Sequence, residues 1–297
     1  LSETNMGALT TAQVASLTTA QVSSLVTDDL NALGTAQFAA LTTAQVTALT
    51  GAQVGGLVSD DLRAMTTAQF GAMSSVQIGG LTADQIPNLE SADLRAINTA
   101  ALRTMTSDQL DALTGTQMAQ LTTGQVAALT TAQLSNLGSD DLNALSSSQF
   151  SALSSTQVAS LTSDQIGTLQ SDDVRAISSA GLRAWSTDQL AALSETNMGA
   201  LTTAQVASLT TEQVSSLVTD DLNALGTAQF AALTTAQVSA LQQSQLSGLV
   251  SDDLRAMSTG QYAALTSAQI GGITTDQISL IETQDLNALS SSTLREL

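Results

Sequence analysis

Residues 10–17 read TTAQVASL and residues 18–25 read TTAQVSSL, and this eight-residue unit decides how the whole chain is read. Working outward from the pair, the sequence divides into 37 octads from residue 2 to residue 297 without an insertion. Exact phasing of this kind is the signature of a repeat architecture. With each octad numbered 1 to 8, position 8 is always Leu, Ile, Met or Trp, and position 5 is always apolar, from Val14 through Phe38 to Tyr262. These two positions are expected to form the core. Position 2 is Ser or Thr in 31 octads and position 4 is Gln, Asp or Asn in 34, a bias that assigns both to the backbone.

One continuous α-helix is excluded, because eight residues at about 100° each turn the apolar face by roughly 80° per octad. A simple strand is also a poor fit, since positions 5 and 8 differ by an odd number and point to opposite faces. Short helices fit better. In T-x-x-Q a Thr at position 1 caps the amide at position 4 while the Gln reaches back, forming a capping box. Where position 1 is Val26, the cap is expected to shift to Thr27. Gly55, Gly56, Gly79 and Gly80, at positions 6 and 7, suit a left-handed helix stop. Helices this short are unstable alone, so stacking must hold them. Pro87, at position 6, is compatible only with a single turn. The fold class expected is an all-α solenoid of very short helices, one per octad, with a β-solenoid as the alternative.

A longer period overlies the octad. Asp replaces Gln at position 4 in octads 4, 8, 12, 18, 22, 28, 32 and 36, always an even number. That pattern suggests two octads, 16 residues, per layer. At the roughly 8–10 Å spacing of packed helices, such layers give a rod of about 150–190 Å. All seven Arg occupy position 6, in an Asp octad or in the octad that follows one, which suggests pairs between adjacent repeats such as Asp93 with Arg103. Residues 1–49 recur as 193–241 with only two changes, Ala20 to Glu212 and Thr47 to Ser239. No linker is visible, so 1–297 reads as a single continuous solenoid whose ends need not be natural termini.

Composition narrows the functions. His and Cys are absent, and 7 basic residues, all Arg, oppose 26 acidic ones, for a net charge of −19. Nucleic acid is disfavoured, since phosphate binding needs clustered Lys and Arg. Neither disulfides nor thiolate metal sites are available. Polar residues interrupt every apolar pair, so a membrane span is not expected.

The concentrated acidic sites are the pairs Asp28/Asp29, Asp60/Asp61, Asp140/Asp141, Asp172/Asp173, Asp220/Asp221 and Asp252/Asp253. They offer oxygen ligands for weak Ca²⁺ binding. They equally suit the first turn of a helix, where carboxylates interact well with the dipole. No other cofactor is expected. Paired carboxylates also serve acid–base catalysis on sugars, but a catalytic constellation is distinctive and these recur, so the chain is not read as an enzyme. Trp185 is a sugar platform or, at position 8, core. Repeated Thr at positions 1 and 2 makes an adhesive face or a set of caps, and Gln at position 4 a ladder or caps.

LTTGQVAAL, at residues 121–129, matches the L-T-x-x-Q-V opening of the DNA-binding repeats of TAL effectors over one helix only, without the long repeat or the base-reading pair. Along its whole length the chain resembles the TTAQV-type octapeptide arrays of very large surface or secreted proteins of Gram-negative bacteria. That resemblance implies an adhesin, sheath or filament role at the cell surface or outside the cell. It carries over no functional residue. Two large apolar residues per octad build only a thin core, so copies of the chain are the expected partners, as a homo-oligomer or filament. Many repeated contacts then replace one strong site. A calcium-stiffened stalk that binds a ligand is the alternative.

Overall fold

The computed structural model describes residues 3–296. Among them are 35 short α-helices and two 3-10 helices, one helical turn or so per octad, and no strand. This is the all-helical tandem arrangement expected of a solenoid of short helices, and it removes the β alternative. By contact the chain falls into two compact units, Leu1–Ala152 and Leu153–Leu297, and both follow the same rules.

Octad 16 (122–129) shows why an octad makes one helix and then stops. Thr122 sits in extended conformation and caps the helix Thr123–Ala128. Its hydroxyl accepts from the Gln125 amide at 3.1 Å, and its own amide donates to Gln125 Oε1 at 2.9 Å. The box forms as the spacing predicts. Position 8 then turns extended, with Leu17 at φ −62°, ψ 142°, and the next position 1 follows suit, with Thr18 at φ −73°, ψ 155°. Two extended residues break each helix. No described residue has positive φ, so the left-handed stop expected at Gly56 and Gly79 does not occur; their φ values are −94° and −64°. Glycine is needed instead for close approach: a Cβ on Gly55 would lie 2.5 Å from the Gly80 carbonyl oxygen of octad 10.

The cap does not move to Thr27 in octad 4 either. Val26 is the extended N-cap residue, without a side-chain bond, and the helix is Thr27–Asn31. Pro87 falls in a 3-10 turn, Ile86–Asn88, where no α-helical hydrogen bond from residue 87 is required.

From Met6 to Ile270 position 5 is at most 1% exposed, and from Leu33 to Leu289 position 8 is at most 8% exposed. These are the two core positions expected. Their stacking period is not the one expected. Helices meet those three octads away, as Ser59–Ala64 meets Thr35–Ala39, and position 4 bonds four octads back. A turn therefore takes between three and four octads, and the 16-residue layer is wrong, together with the length calculated from it. The physical reason is reach: an extended two-residue corner turns the chain too little for two helices to close a layer. Most intervals between Asp octads equal four octads, the register of the position-4 bond, and the others are six.

Candidate functional site

The chain's distinctive chemistry lies along position 4. Gln125 accepts at Oε1 from the N-cap amide of its own octad and donates through Nε2 to the carbonyls of Leu94 and Ile97, each at 2.9 Å. Gln45, Gln77, Gln117 and Gln237 do the same. A primary amide suits this double task, because it carries an acceptor oxygen and a nitrogen with two donors on one planar group. Most of these side chains are buried, so the bonds form a seam away from water. The capping half of this arrangement follows from T-x-x-Q. The inter-octad half was missed, although position 4 carries a signal for it: a capping box admits Glu, yet Glu never occurs there.

Where Gln is absent, other groups serve the same carbonyls. Ala101 stands at position 4 of octad 13, and Asn98 both caps its amide and donates to Met73 O at 3.2 Å. In octad 24 Gln189 is present but bonds the carbonyls of Ala159 and Leu161, and the Val158 carbonyl accepts from Trp185 Nε1 at 3.0 Å instead. Trp185 is 3% exposed and is core, not a platform. The Tyr262 hydroxyl donates to Leu254 O at 2.8 Å, and burial pushes its pKa up to about 12.

The Asp octads are the exceptions. In each pair the position-3 carboxylate is exposed, at Asp28, Asp60, Asp140, Asp172, Asp220 and Asp252, whereas position 4 turns inward. Asp61, Asp173, Asp221 and Asp253 are buried, and Asp29 and Asp141 half-buried. An ionised carboxylate cannot donate, so it cannot replace the seam amide. Asp93 gains a hydrogen bond from Thr67, and Asp285 one from Thr259 at 2.8 Å. Oδ2 of Asp61 and Oδ2 of Asp253 have no partner. Burial first, and then the neighbouring Asp60 or Asp252, pushes each of these carboxyls up to about 6. Burial also raises Asp93, Asp141 and Asp221.

The described ion pairs lie within octads: Arg63–Asp60 at 3.6 Å, Arg175–Asp172 at 3.5 Å and Arg255–Asp252 at 4.0 Å. All are exposed and worth about 0–1 kcal/mol. Asp93 and Arg103 do not pair; positions 3 and 6 share a helix face, and position 4 of the preceding octad points into the core. No group of three or more acidic, His or Cys side chains is placed to hold a metal among the described residues. A shallow cleft of about 470 Å³ lies between Thr227, Ala231, Asp252 and Arg255. No described helix is long and apolar enough to cross a membrane.

Positions 1 to 3 and 6 remain on the surface in octad after octad, as at Thr42, Thr43, Ala44 and Thr47. The repeated outer face is therefore largely hydroxyl and methyl. No curated protein matches the chain. The ALTTAQ repeat matches it seven times, over residues 22–59, 57–89, 86–123, 135–171, 166–203, 215–251 and 248–280. With well over half its length so covered, the chain belongs to the ALTTAQ repeat family.

Proposed function

We propose that this chain is a structural repeat protein that self-associates into an extracellular filament or sheath at a bacterial cell surface. The observation that supports this most is the repetition of one outer face, such as Thr42, Thr43 and Thr47, over a core with an identical seam behind it. A surface repeated at fixed spacing meets another copy many times, so weak contacts add up. Electron microscopy of the natively secreted material, with and without a calcium chelator, tests the proposal. Long uniform fibres indifferent to the chelator are the expected result; dispersed single particles at every concentration would overturn it.

A second reading is a stalk stiffened by calcium. It is favoured by one feature, the buried and unpartnered Oδ2 atoms of Asp61 and Asp253. Thermal stabilisation by calcium, lost in Asp61→Asn/Asp253→Asn, would move the assignment to that reading.

A further inference from the structure

Among octads that otherwise repeat, one place gathers several departures from the pattern. Octad 23 (178–185) reads SSAGLRAW, with Gly181 at position 4, Arg183 at position 6 and the chain's only Trp, Trp185, at position 8. Four octads on, octad 27 (210–217) carries Glu212, the one change of charge between the duplicated segments, where the counterpart is Ala20. Stacking brings these residues together. The helices Thr187–Ala191 and Thr211–Ser216 meet, and a cleft of about 250 Å³ beside them is lined by Arg183, Trp185, Ser186, Thr187, Thr210 and Glu212.

The polar groups of this cleft are not used up by the fold. Arg63, Arg175 and Arg255 each pair with an Asp three residues back, whereas that position before Arg183 is Ala180. Neither Arg183 nor Glu212 joins an ion pair among the described residues. The hydroxyls of Ser186 and Thr210 accept from the amides of Gln189 and Gln213, each at 3.1 Å, and keep their own protons to donate. The Trp185 ring remains core, and only the small part that reaches the cleft lines it. The parallel place around Arg103 has Met105 for Trp185 and Ala132 for Glu212, and there Asn136 donates to the Ser107 hydroxyl at 3.3 Å.

We infer that this cleft binds one neutral sugar unit of a glycan. A sugar presents hydroxyls, a ring oxygen and C–H surface side by side. Glu212 accepts from its hydroxyls, Arg183, Ser186 and Thr210 donate to its oxygens, and Trp185 supplies the apolar contact. A neutral ligand also escapes repulsion by a chain of net charge −19. The volume lies below the roughly 300–1,000 Å³ of pockets for drug-sized ligands, so a single small unit is the size that fits.

Because Trp185 is the only tryptophan, its emission reports on this cleft alone. Titration of the 297-residue chain with glucose, galactose, mannose and N-acetylglucosamine, followed by that emission and by saturation-transfer NMR of the sugar, tests the assignment. At least one of the four should bind saturably, with a Kd of about a millimolar, as so few ligand atoms imply. Glu212→Ala, which installs the residue of the duplicate, and Arg183→Gln both change exposed side chains, so circular dichroism should match the parent. Each should weaken binding about tenfold, the loss of one charged hydrogen bond. Asp252→Ala, at the cleft beside Arg255, should bind like the parent. Binding of none of the four sugars by either measurement would overturn the proposal, and so would binding that both cleft variants leave unchanged.

Discussion

At the scale of the residue, the seam is made where position 4 holds a side chain that accepts and donates at once, as Gln125 does. Gln125→Ala removes one acceptor and two buried donations, leaving the Thr122 amide and the Ile97 carbonyl unpaired and the Leu94 carbonyl with the Ile97 amide alone. At about 1–3 kcal/mol for each buried group left unpaired, the expected loss is roughly 2–5 kcal/mol, measurable as a lower midpoint in urea unfolding. Asp61 and Asp253 make the complementary case. Their carboxyls hold a proton up to about pH 6 in the folded chain, against an ordinary value of 3.8. The folded state binds that proton more tightly, so the stability it contributes is complete below pH 3.8 and is lost as pH rises through 6. Asn at position 4 already reaches the seam, since Asn197 Nδ2 donates to Leu169 O at 2.7 Å. Asp61→Asn/Asp253→Asn should therefore raise the melting temperature at pH 7.5, leave it near the parent's at pH 4, and flatten the decline between. A variant less stable than the parent at pH 7.5 would refute this reading of the two carboxylates.

At the scale of the element, the octad was largely legible in the sequence. The capping box, the one-turn helix and the burial of positions 5 and 8 all follow from TTAQVASL, because they are local. What failed was equally local in form but depended on neighbours. Gly56 was read as a left-handed stop, yet its small size answers to Thr27 of another octad: a Cβ on Gly56 would lie 2.5 Å from Thr27 Cγ2. Val26 was expected to pass the cap to Thr27, yet stacking holds Val26 at the N-cap without a side-chain bond. Caps made by hydroxyls should nevertheless contribute normally. Thr122→Ala should cost about 1 kcal/mol, while Thr122→Ser should be close to neutral in the same thermal melt.

At the scale of the molecule, the sequence showed that a period longer than eight existed but not what it was. The even numbering of Asp octads was compatible with two octads per layer, and only the contacts between octads decide for three to four. Pairs such as Asp93 with Arg103 were inferred from adjacency in the chain, whereas neighbours in space lie 25 to 31 residues apart, as Arg63 lies beside Asn88. The inter-octad role of Gln was only partly legible: Glu never occurs at position 4, but Asp does in eight octads, so the preference for Gln alone did not show that its amide donates to another octad. The candidate carboxylates were found by sequence, but which member of each pair turns inward was not, since both positions fit a first helical turn.

The stacking register is the claim on which the seam and the carboxylate gaps both depend, and disulfide trapping in this cysteine-free chain tests it directly. A Cβ on Gly71 lies 3.9 Å from Ala96 Cβ, three octads on, within the roughly 3.5–4.5 Å that a disulfide needs. Under mild oxidation Gly71→Cys/Ala96→Cys should close an intramolecular bridge in nearly every molecule, while Gly71→Cys/Asn88→Cys, the corresponding pair two octads apart, should keep free thiols. Closure of the 71–88 pair with the 71–96 pair left open would contradict the fold described.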